Sequence, residues 1–492
     1  MSPNHYDTII IGGGPAGIAS ALRRRKRGEK VLLLEKNDHI GGKLDVYEWE
    51  GYRWDKGPSL FTLPKLVDEL FELYGKNPKD YFNYQLIDEN CRYYFPDGTH
   101  FIFHSDPIRR QEALADFFTE QEVEKVEKYI KKIANTYEAI GDLFIAAPKR
   151  GFTDLFKGEI LKQYPKFASR QMLLSLNRYN ERMLGNEKLV QLFNRFGTYN
   201  GSNPYKMSGL YSMIPHLELN IGTYFPIGGM RAIIDSLEIL ATEVGIEIRR
   251  DEPSTKVIKS GDKFDVHLMD DTVTSDQLIC AIDHVNFYQD VMPDDQMIAK
   301  HQDEERSTTA VVFYWAIEGN YPEIGLHNIL FSADYPKEFH QLFDLKVIPD
   351  DPTFYIHNSS AVEDNAAPKN GQNWFVMINA PAGTQPSDEE LERLRSQIKA
   401  RVKKHINIDL TDKILHEERW DMQRIRKDTG SFMGSLYGAS FNTKTSSFTR
   451  HGNKSKKHKN LYFAGGSVHP GGGIPLVLNS AKIVDELMEK NG

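Results

Sequence analysis

Residues Tyr6 to Lys36 read "YDTIIIGGGPAGIASALRRRKRGEKVLLLEK". Tyr6 to Ile11 is a short apolar run of the kind that forms a buried strand. Gly12, Gly14 and Gly17 follow at once in G-x-G-x-x-G spacing. Ile18 to Arg27 reads as a helix closed by Gly28, and Val31 to Leu34 as a second strand. Glu35 ends that strand about 18 residues after Gly17. In this context each glycine has a physical task. Gly12 permits the tight turn, Gly14 lets backbone approach a pyrophosphate, and Gly17 lets helix and sheet pack closely. The phosphates meet the free N–H groups of the helix start, and Glu35 accepts from ribose hydroxyls. The segment reads as a Rossmann-type dinucleotide-binding unit within an α/β fold, the alternative being a glycine turn with no ligand. The run Arg23-Arg24-Arg25-Lys26-Arg27 complements the helix dipole in solvent, a reading preferred over a nucleic-acid patch.

The far end of the chain, Leu461 to Lys482, reads "LYFAGGSVHPGGGIPLVLNSAK". It is a short strand, a glycine turn and an apolar helix. Glycine is entropically costly to order. The cluster Gly465, Gly466, Gly471, Gly472 and Gly473 before Ile474-Pro475 is therefore either a tight turn or a bare backbone surface for a ligand. A Rossmann unit serves NAD and FAD alike. Gly41-Gly42-Lys43 and this distant turn favour FAD, a long cofactor over which other parts of a chain close. The turn then brings N–H groups and the positive helix end to the pyrimidine edge of the isoalloxazine, where reduction places negative charge.

With 492 residues the chain exceeds one ordinary core, so two or more lobes are expected. A net charge of −8 and a pI near 6.1 leave no global nucleic-acid footprint. Cys91 and Cys280 lie far apart, which offers neither a disulfide framework nor metal-ligand spacing and suits a reducing compartment. The apolar run Thr8 to Ile11 lacks the basic flank of a secretory signal. No uninterrupted apolar run reaches about 18 residues, so a spanning helix is not expected, while an element lying on a membrane surface remains compatible.

Between the two glycine motifs the organisation is coarser. Gly51 and Asp55-Lys56-Gly57-Pro58-Ser59 follow a short hairpin, and residues 63–220 read as largely helical. "GFTDLFKGEILKQYPKFASRQMLLSLNRY", Gly151 to Tyr179, is either a domain-packing helix pair or a membrane-surface element. "STTAVVFYWAI", "NILFSADY", "PTFYIHNSS" and "NWFVMINAPAG" read as strands of a second sheet, and "DEELERLRSQIKARVKKHI" as an amphipathic helix. The expected division is a discontinuous FAD-binding domain of residues 1–75, 216–300 and 416–492. A helical substrate or membrane-facing subdomain takes residues 76–215, and a substrate-binding mixed-sheet domain residues 301–415.

Taken together, the Gly12–Gly17 motif, Gly41-Gly42-Lys43, Gly51–Ser59, "YFPIGGM" and "HPGGGIPLVLNSAK" resemble the phytoene desaturase family of FAD-dependent carotenoid oxidoreductases. "TYNGSNPY" and "MIPHLE" between Thr198 and Glu218 are similar to that family's middle region, as are "DYPKEF", "DPTFYI" and "GSLYG". The likeness runs nearly end to end. Leu476 and Asn479 stand where bacterial phytoene desaturases usually carry glycines. "GGSVHPGGGIPLVLNSAK" is most similar to the 1-hydroxycarotenoid 3,4-desaturase branch, which points away from phytoene as the substrate.

The resemblance implies FAD held by Gly12, Gly14, Gly17, Glu35, Gly42, Lys43, Gly57, Pro58, Ser59, Val257, Gly465, Gly466, Gly473, Ile474 and Pro475. It implies a carotenoid in a long apolar tunnel, hydride transfer from an allylic carbon to flavin N5, and a peripheral seat on the cytoplasmic side of the cell membrane. No metal is implied. The cation left by hydride loss is spread over the polyene, so a strong protein base is not obligatory and no catalytic residue is assigned. His216 and His469 are turn-stabilising or catalytic. Arg195 and Tyr199 line the tunnel or form a structural ion pair. Arg450 to Asn460 is a solvated loop or a contact for anionic headgroups. Asn200, Asn203 and Tyr205 are candidate partners for a substrate hydroxyl. The alternatives are a phytoene- or lycopene-forming desaturase, a non-redox polyene isomerase, a prenyl-protein chaperone and an amine oxidase.

Overall fold

Local sequence chemistry builds the N-terminal unit as expected. In the computed structural model, which describes residues 4–145, 170–443 and 446–490, strand β1 spans His5–Ile11, helix α1 Pro15–Lys26 and strand β2 Val31–Leu34. β1 lies parallel to β2, with Ile10 opposite Leu33, and parallel to Thr272–Cys280 on its other side, with Ile10 opposite Ile279. Both faces of such a parallel centre are covered, so residues Ile9 to Ile11, Val31 to Leu34 and Leu278 to Cys280 are apolar and buried. The sheet has seven strands in the order Lys256–Ser260, Lys263–His267, Thr272–Cys280, β1, β2 and Glu247–Arg249, with Leu461–Phe463 paired to Thr272–Cys280. Helix α1 packs against the C-terminal helix Ile474–Glu489. Their apolar faces share one core that includes Ile18, Leu22, Leu33, Leu237, Leu478 and Val484. Chain segments far apart in sequence thus complete one sheet.

A second seven-stranded sheet runs Ile414–Trp420, Thr309–Glu318, Gly371–Ala380, Phe354–Asn358, His327–Leu330, Glu89–Tyr94 and His100–His104. Its pairs are antiparallel except His327–Leu330 with Glu89–Tyr94. Period-two alternation divides the central strand. Val311, Phe313, Trp315 and Ile317 face helix Asp388–Ile406, meeting Leu391, Leu394, Ile398 and Val402. Ala310 and Val312 face the other way, into a cavity. That helix starts at a reciprocal capping box between Ser387 and Glu390.

Two expectations are corrected here. Residues 63–220 are not largely helical throughout, because Glu89–Tyr94 and His100–His104 form an edge hairpin of the second sheet. Aromatic and β-branched residues flank a Pro96-Asp97-Gly98 turn, which is hairpin chemistry. The expected boundary at residue 415 falls inside strand Ile414–Trp420, which belongs to the second sheet as a whole. The helical part includes Glu120–Ile145, Leu176–Leu184 and Glu187–Asn194, whose buried residues pack with the edge hairpin. Of the segment Gly151 to Tyr179, residues 151–169 lie outside the described residues. Among the described residues no helix is long and apolar enough to cross a membrane.

Candidate cofactor and substrate cavity

The start of α1 is shaped by close backbone approach. A Cβ on Gly17 would sit 1.9 Å from the Gly12 carbonyl oxygen, so the helix meets the strand end only with glycine there. Gly14 has the opposite environment, with no heavy atom within 4 Å of a Cβ placed on it. Pro15 opens the helix, where no N–H is needed. Glu35 is buried at the end of β2, and its carboxylate accepts from the backbone N–H of Gly13 at 2.8 Å and of Asn37 at 3.0 Å.

At the other end of the chain Gly473 holds the N-cap of Ile474–Glu489 at φ +104°, and a Cβ there too would meet nothing within 4 Å. The turn before it is knit by two buried side chains. Ser480 Oγ accepts from Gly465 N at 3.0 Å and donates to His469 O at 2.9 Å, while Asn453 Nδ2 donates to Phe463 O and His469 O at 3.1 and 2.8 Å. Arg450 donates to Val468 O at 3.0 Å, to Ala439 O at 2.8 Å, and to Tyr437 O and Gly466 O. The run Arg450 to Asn460 is therefore not a solvated loop along its length. Arg450, His451 and Asn453 are buried, and Lys456, Lys457 and Lys459 are the fully exposed members of the run. A string of polar residues carries no periodicity that separates those turned inward from those turned outward.

Both glycine motifs line one cavity of ≈ 660 Å³. Gly12, Gly14, Glu35, Gly42 and Lys43 line it from the first unit, and Gly57, Pro58 and Ser59 from the loop after the hairpin. Gly465, Gly466, Gly473, Ile474 and Pro475 line it from the C-terminal turn. Gly17 stays behind the wall as a packing glycine. Val257 is a correction. Its side chain is 3 % exposed within the core of Phe264, Val273 and Leu278, and the wall at this point is Glu252, Pro253 and Ser254. Ser254 Oγ is enclosed and makes no hydrogen bond among the described residues. An enclosed hydroxyl without a partner, two open glycine positions at helix starts and a carboxylate at the strand end fit an extended dinucleotide.

The opposite wall comes from the second sheet and the helical part, with Val312, Ile329, Phe375 and Met377 among its apolar residues. Arg195 and Tyr199 line it and also belong to a buried ionic cluster, so the two expectations for them hold together. Glu218, 1 % exposed, accepts from Arg195 Nη2 at 3.3 Å and from Tyr199 Oη. Burial raises the Glu218 carboxyl above its usual range, and the neighbouring guanidinium opposes that rise. The Arg195 guanidinium also lies 4.3 Å from the Phe196 ring centroid. Ser59 Oγ, Tyr355 Oη and His327 Nδ1 form a chain of 2.8 and 2.6 Å contacts in the same wall. No spacing in the sequence announces that chain, because its members come from three distant segments. His469 lines the cavity, whereas His216 does not and packs against Tyr137 at 4.6 Å. Asn200 lines it too. Asn203 and Tyr205 do not: Asn203 Oδ1 accepts from Tyr205 N at 2.9 Å, and the Tyr205 ring packs on Phe339.

Lys43 Nζ donates to Leu436 O at 2.6 Å and Ser435 O at 3.3 Å. Burial pushes its pKa down to about 8, against the pull of Asp283. Between that value and the ordinary lysine range the unfolded chain holds a proton that the folded chain lacks. The cost of the buried charge is therefore present below pH 8 and fades as pH rises. An anion in the cavity favours the ammonium, so binding of FAD takes up a proton. FAD affinity is expected to fall above pH 8, by up to about tenfold per pH unit, and Lys43→Met to flatten that slope. Titration of flavin-free protein with FAD from pH 7 to 10 checks this; equal slopes in both proteins would contradict it.

Away from the cavity, His284, His301 and Glu304 bring ligand-type atoms within 4.8 Å of one another, a grouping the sequence does not display. His301 Nδ1 is engaged with Glu304 Oε1 at 2.8 Å. Burial holds His284 well below its ordinary pKa, and His451, His301, Arg306 and Arg450 add to that effect. The two guanidinium charges oppose a divalent cation at this point.

Comparison with known proteins agrees with this geometry. The family "Flavin containing amine oxidoreductase" matches residues 15–484. The chain is 42 % identical over 482 residues to the 1-hydroxycarotenoid 3,4-desaturase of Flavobacterium sp. (strain P99-3), covering 98 % of both chains. It is 26 % identical over 489 residues to the carotenoid 3,4-desaturase of Haloarcula japonica, again covering 98 % of both. Wild-type putrescine oxidase bound to putrescine has the same fold, with a TM-score of 0.66 at 13 % identity, covering 99 % of this chain and 98 % of that one. The chain belongs to the flavin-containing amine oxidoreductase family, and its cofactor is FAD.

Proposed function

We propose that this protein is a carotenoid desaturase acting on a late, 1-hydroxylated, acyclic or monocyclic carotenoid. One observation carries the proposal. A single cavity is bounded on one side by the dinucleotide cradle and on the other by a mainly apolar, aromatic wall, in a chain 42 % identical throughout to a 1-hydroxycarotenoid 3,4-desaturase. FAD, when bound, supplies the acceptor for a hydride from an allylic carbon. The chain's own residues align and enclose the polyene. Val312, Ile329, Phe375 and Met377 offer only dispersion contacts, which hold a hydrocarbon by shape and exclude water. The wall also carries polar groups that a hydrocarbon would leave unpaired, which favours a substrate with a polar end over phytoene or lycopene.

Purified protein with FAD, in liposomes carrying phytoene, lycopene or a 1-hydroxylated carotenoid, tests the proposal. The 1-hydroxylated substrate is expected to give a red-shifted product two mass units lighter. Equal conversion of phytoene would overturn the substrate class, and a product of unchanged mass would make the protein an isomerase. The proposal includes a peripheral seat on the cytoplasmic side of the cell membrane, because the substrate is insoluble in water and Leu173 is 67 % exposed. Flotation of the same vesicles reads that part. Protein that stays at the bottom of the gradient in every lipid composition would remove it.

A further inference from the structure

We infer that the side-chain amide of Asn200 is the hydrogen-bond partner of the substrate's hydroxyl. This rests on the proposed substrate class and adds the residue that selects it. Asn200 is 7 % exposed and lines the cavity. Among the described residues its amide makes no hydrogen bond, and neither amide atom is sealed off from the cavity. Its backbone is fixed by the turn: Gly201 N donates to Thr198 O at 2.8 Å, and Ser202 Oγ donates to Asn200 O at 3.1 Å. The turn fixes where the side chain leaves the backbone, and the amide keeps both a donor and an acceptor free. A hydroxyl is also donor and acceptor, so one pair satisfies both groups.

Position strengthens the argument. In a substrate hydroxylated at C1 and oxidised at C3–C4, two single bonds separate the hydroxyl carbon from the reacting carbon, a distance of about 2.5 Å. The partner of that hydroxyl must lie beside the flavin seat and not at the remote end of the tunnel. Asn200 meets this condition. A Cβ on the next residue, Gly201, would lie 2.9 Å from the Tyr437 ring, and one on Gly472 of the C-terminal turn 2.8 Å from the same ring. Tyr437 thus joins the Asn200 turn directly to the flavin turn. Among the described residues Asn90 Nδ2, Arg195 Nε and His327 Nε2 also line the cavity without a hydrogen-bond partner. Each offers one atom only, because Asn90 Oδ1 is engaged by Ser105, the Arg195 Nη atoms by Tyr199, Tyr93 and Glu218, and His327 Nδ1 by Tyr355. The Tyr335 phenol is the remaining candidate. The Tyr335 ring packs against Phe331 and Phe339 on the helical side.

The test uses the FAD-loaded protein in three variants: Asn200→Leu, with the same branching but apolar; Asn200→Ser, which restores a smaller polar group; and Tyr335→Phe. Binding of the 3,4-desaturated 1-hydroxy product and of its dehydroxy counterpart is read by quenching of tryptophan fluorescence, which needs no turnover. The kcat/KM ratio is then measured for the corresponding substrates. Wild-type protein is expected to favour the hydroxylated compound by about 5- to 150-fold in both readings. Asn200→Leu brings both ratios close to one, Asn200→Ser recovers part of them, and Tyr335→Phe leaves them near the wild-type value. Unchanged ratios in Asn200→Leu, or ratios lost in Tyr335→Phe instead, overturn the inference. Wild-type protein that desaturates the hydroxylated substrate yet binds both products equally also overturns it, while the proposed function stands. Wild-type protein that converts phytoene and ignores the hydroxylated compound ends both. Should Asn200→Leu fail to retain flavin, the wild-type and Asn200→Ser ratios decide.

Discussion

Gly17→Ala protein is expected not to form its first β–α unit, whereas Gly14→Val protein folds and loses its flavin. The two glycines belong to one motif, but their surroundings differ completely. A methyl group on Gly17 would sit 1.9 Å from the Gly12 carbonyl oxygen and 3.0 Å from its carbon. Neither atom can yield, because Gly12 N donates to Leu34 O at 2.8 Å and Ala281 N donates to Ile11 O at 2.8 Å. Separating helix from sheet to admit the methyl costs at least about 3 kcal/mol, the upper range of overpacking effects. Gly14 lies at φ −71°, a conformation open to any residue, and a side chain there enters the cavity without touching protein. Flavin content read by absorbance should fall below roughly a tenth of wild type in Gly14→Val, because the side chain occupies the place of the pyrophosphate. Its circular dichroism should match that of flavin-free wild-type protein. Normal flavin content in Gly14→Val, or normal flavin and Tm in Gly17→Ala, would show that the cradle is misread.

The second large effect concerns the buried ion pair. Arg195→Met leaves Glu218 enclosed without its cation, keeping only the Tyr199 hydroxyl as donor. Breaking a buried pair on one side costs about 3–5 kcal/mol, which in a chain of this size lowers Tm by roughly 3–5 °C. The loss should depend on pH in a definite direction. Burial already holds the Glu218 carboxyl above its usual range, and removing the guanidinium raises it further. A carboxyl that binds its proton more tightly when folded contributes most stability below its unfolded pKa, near 4.3, and loses it as pH rises through the folded value. The Tm deficit of Arg195→Met is therefore larger at pH 8 than at pH 5. Adding Glu218→Gln, which keeps the acceptor and removes the charge, should recover at least half of the deficit at pH 8. A deficit independent of pH, or one unrelieved in the double variant, would assign the loss to packing of the Arg195 stem on Phe196 instead.

The nucleotide unit was legible in the residue order because its determinants are local. Gly12, Gly14 and Gly17 act within one turn, and Glu35 follows after one helix and one strand, so their spacing in the chain is their spacing in space. The C-terminal turn was legible for the same reason, since its glycines and the helix at Ile474 are contiguous. Distant partners were beyond such a reading. Val257 lies three residues past Ser254, and only the packing of strand Lys256–Ser260 into its core decides which of them meets the cavity. Arg450 and Asn453 look like members of a solvated basic run until folding encloses them beneath the glycine turn. The hairpin at Glu89–His104 completes a sheet whose other strands begin more than two hundred residues later, a pairing set by burial and not by proximity in the chain. Asn200, Asn203 and Tyr205 are equivalent as polar residues in one stretch. The tight turn from Arg195 to Asn200 aims the first at the cavity, ties the second to the backbone of the third, and sends the third against Phe339, because side-chain direction follows backbone torsion and not residue type.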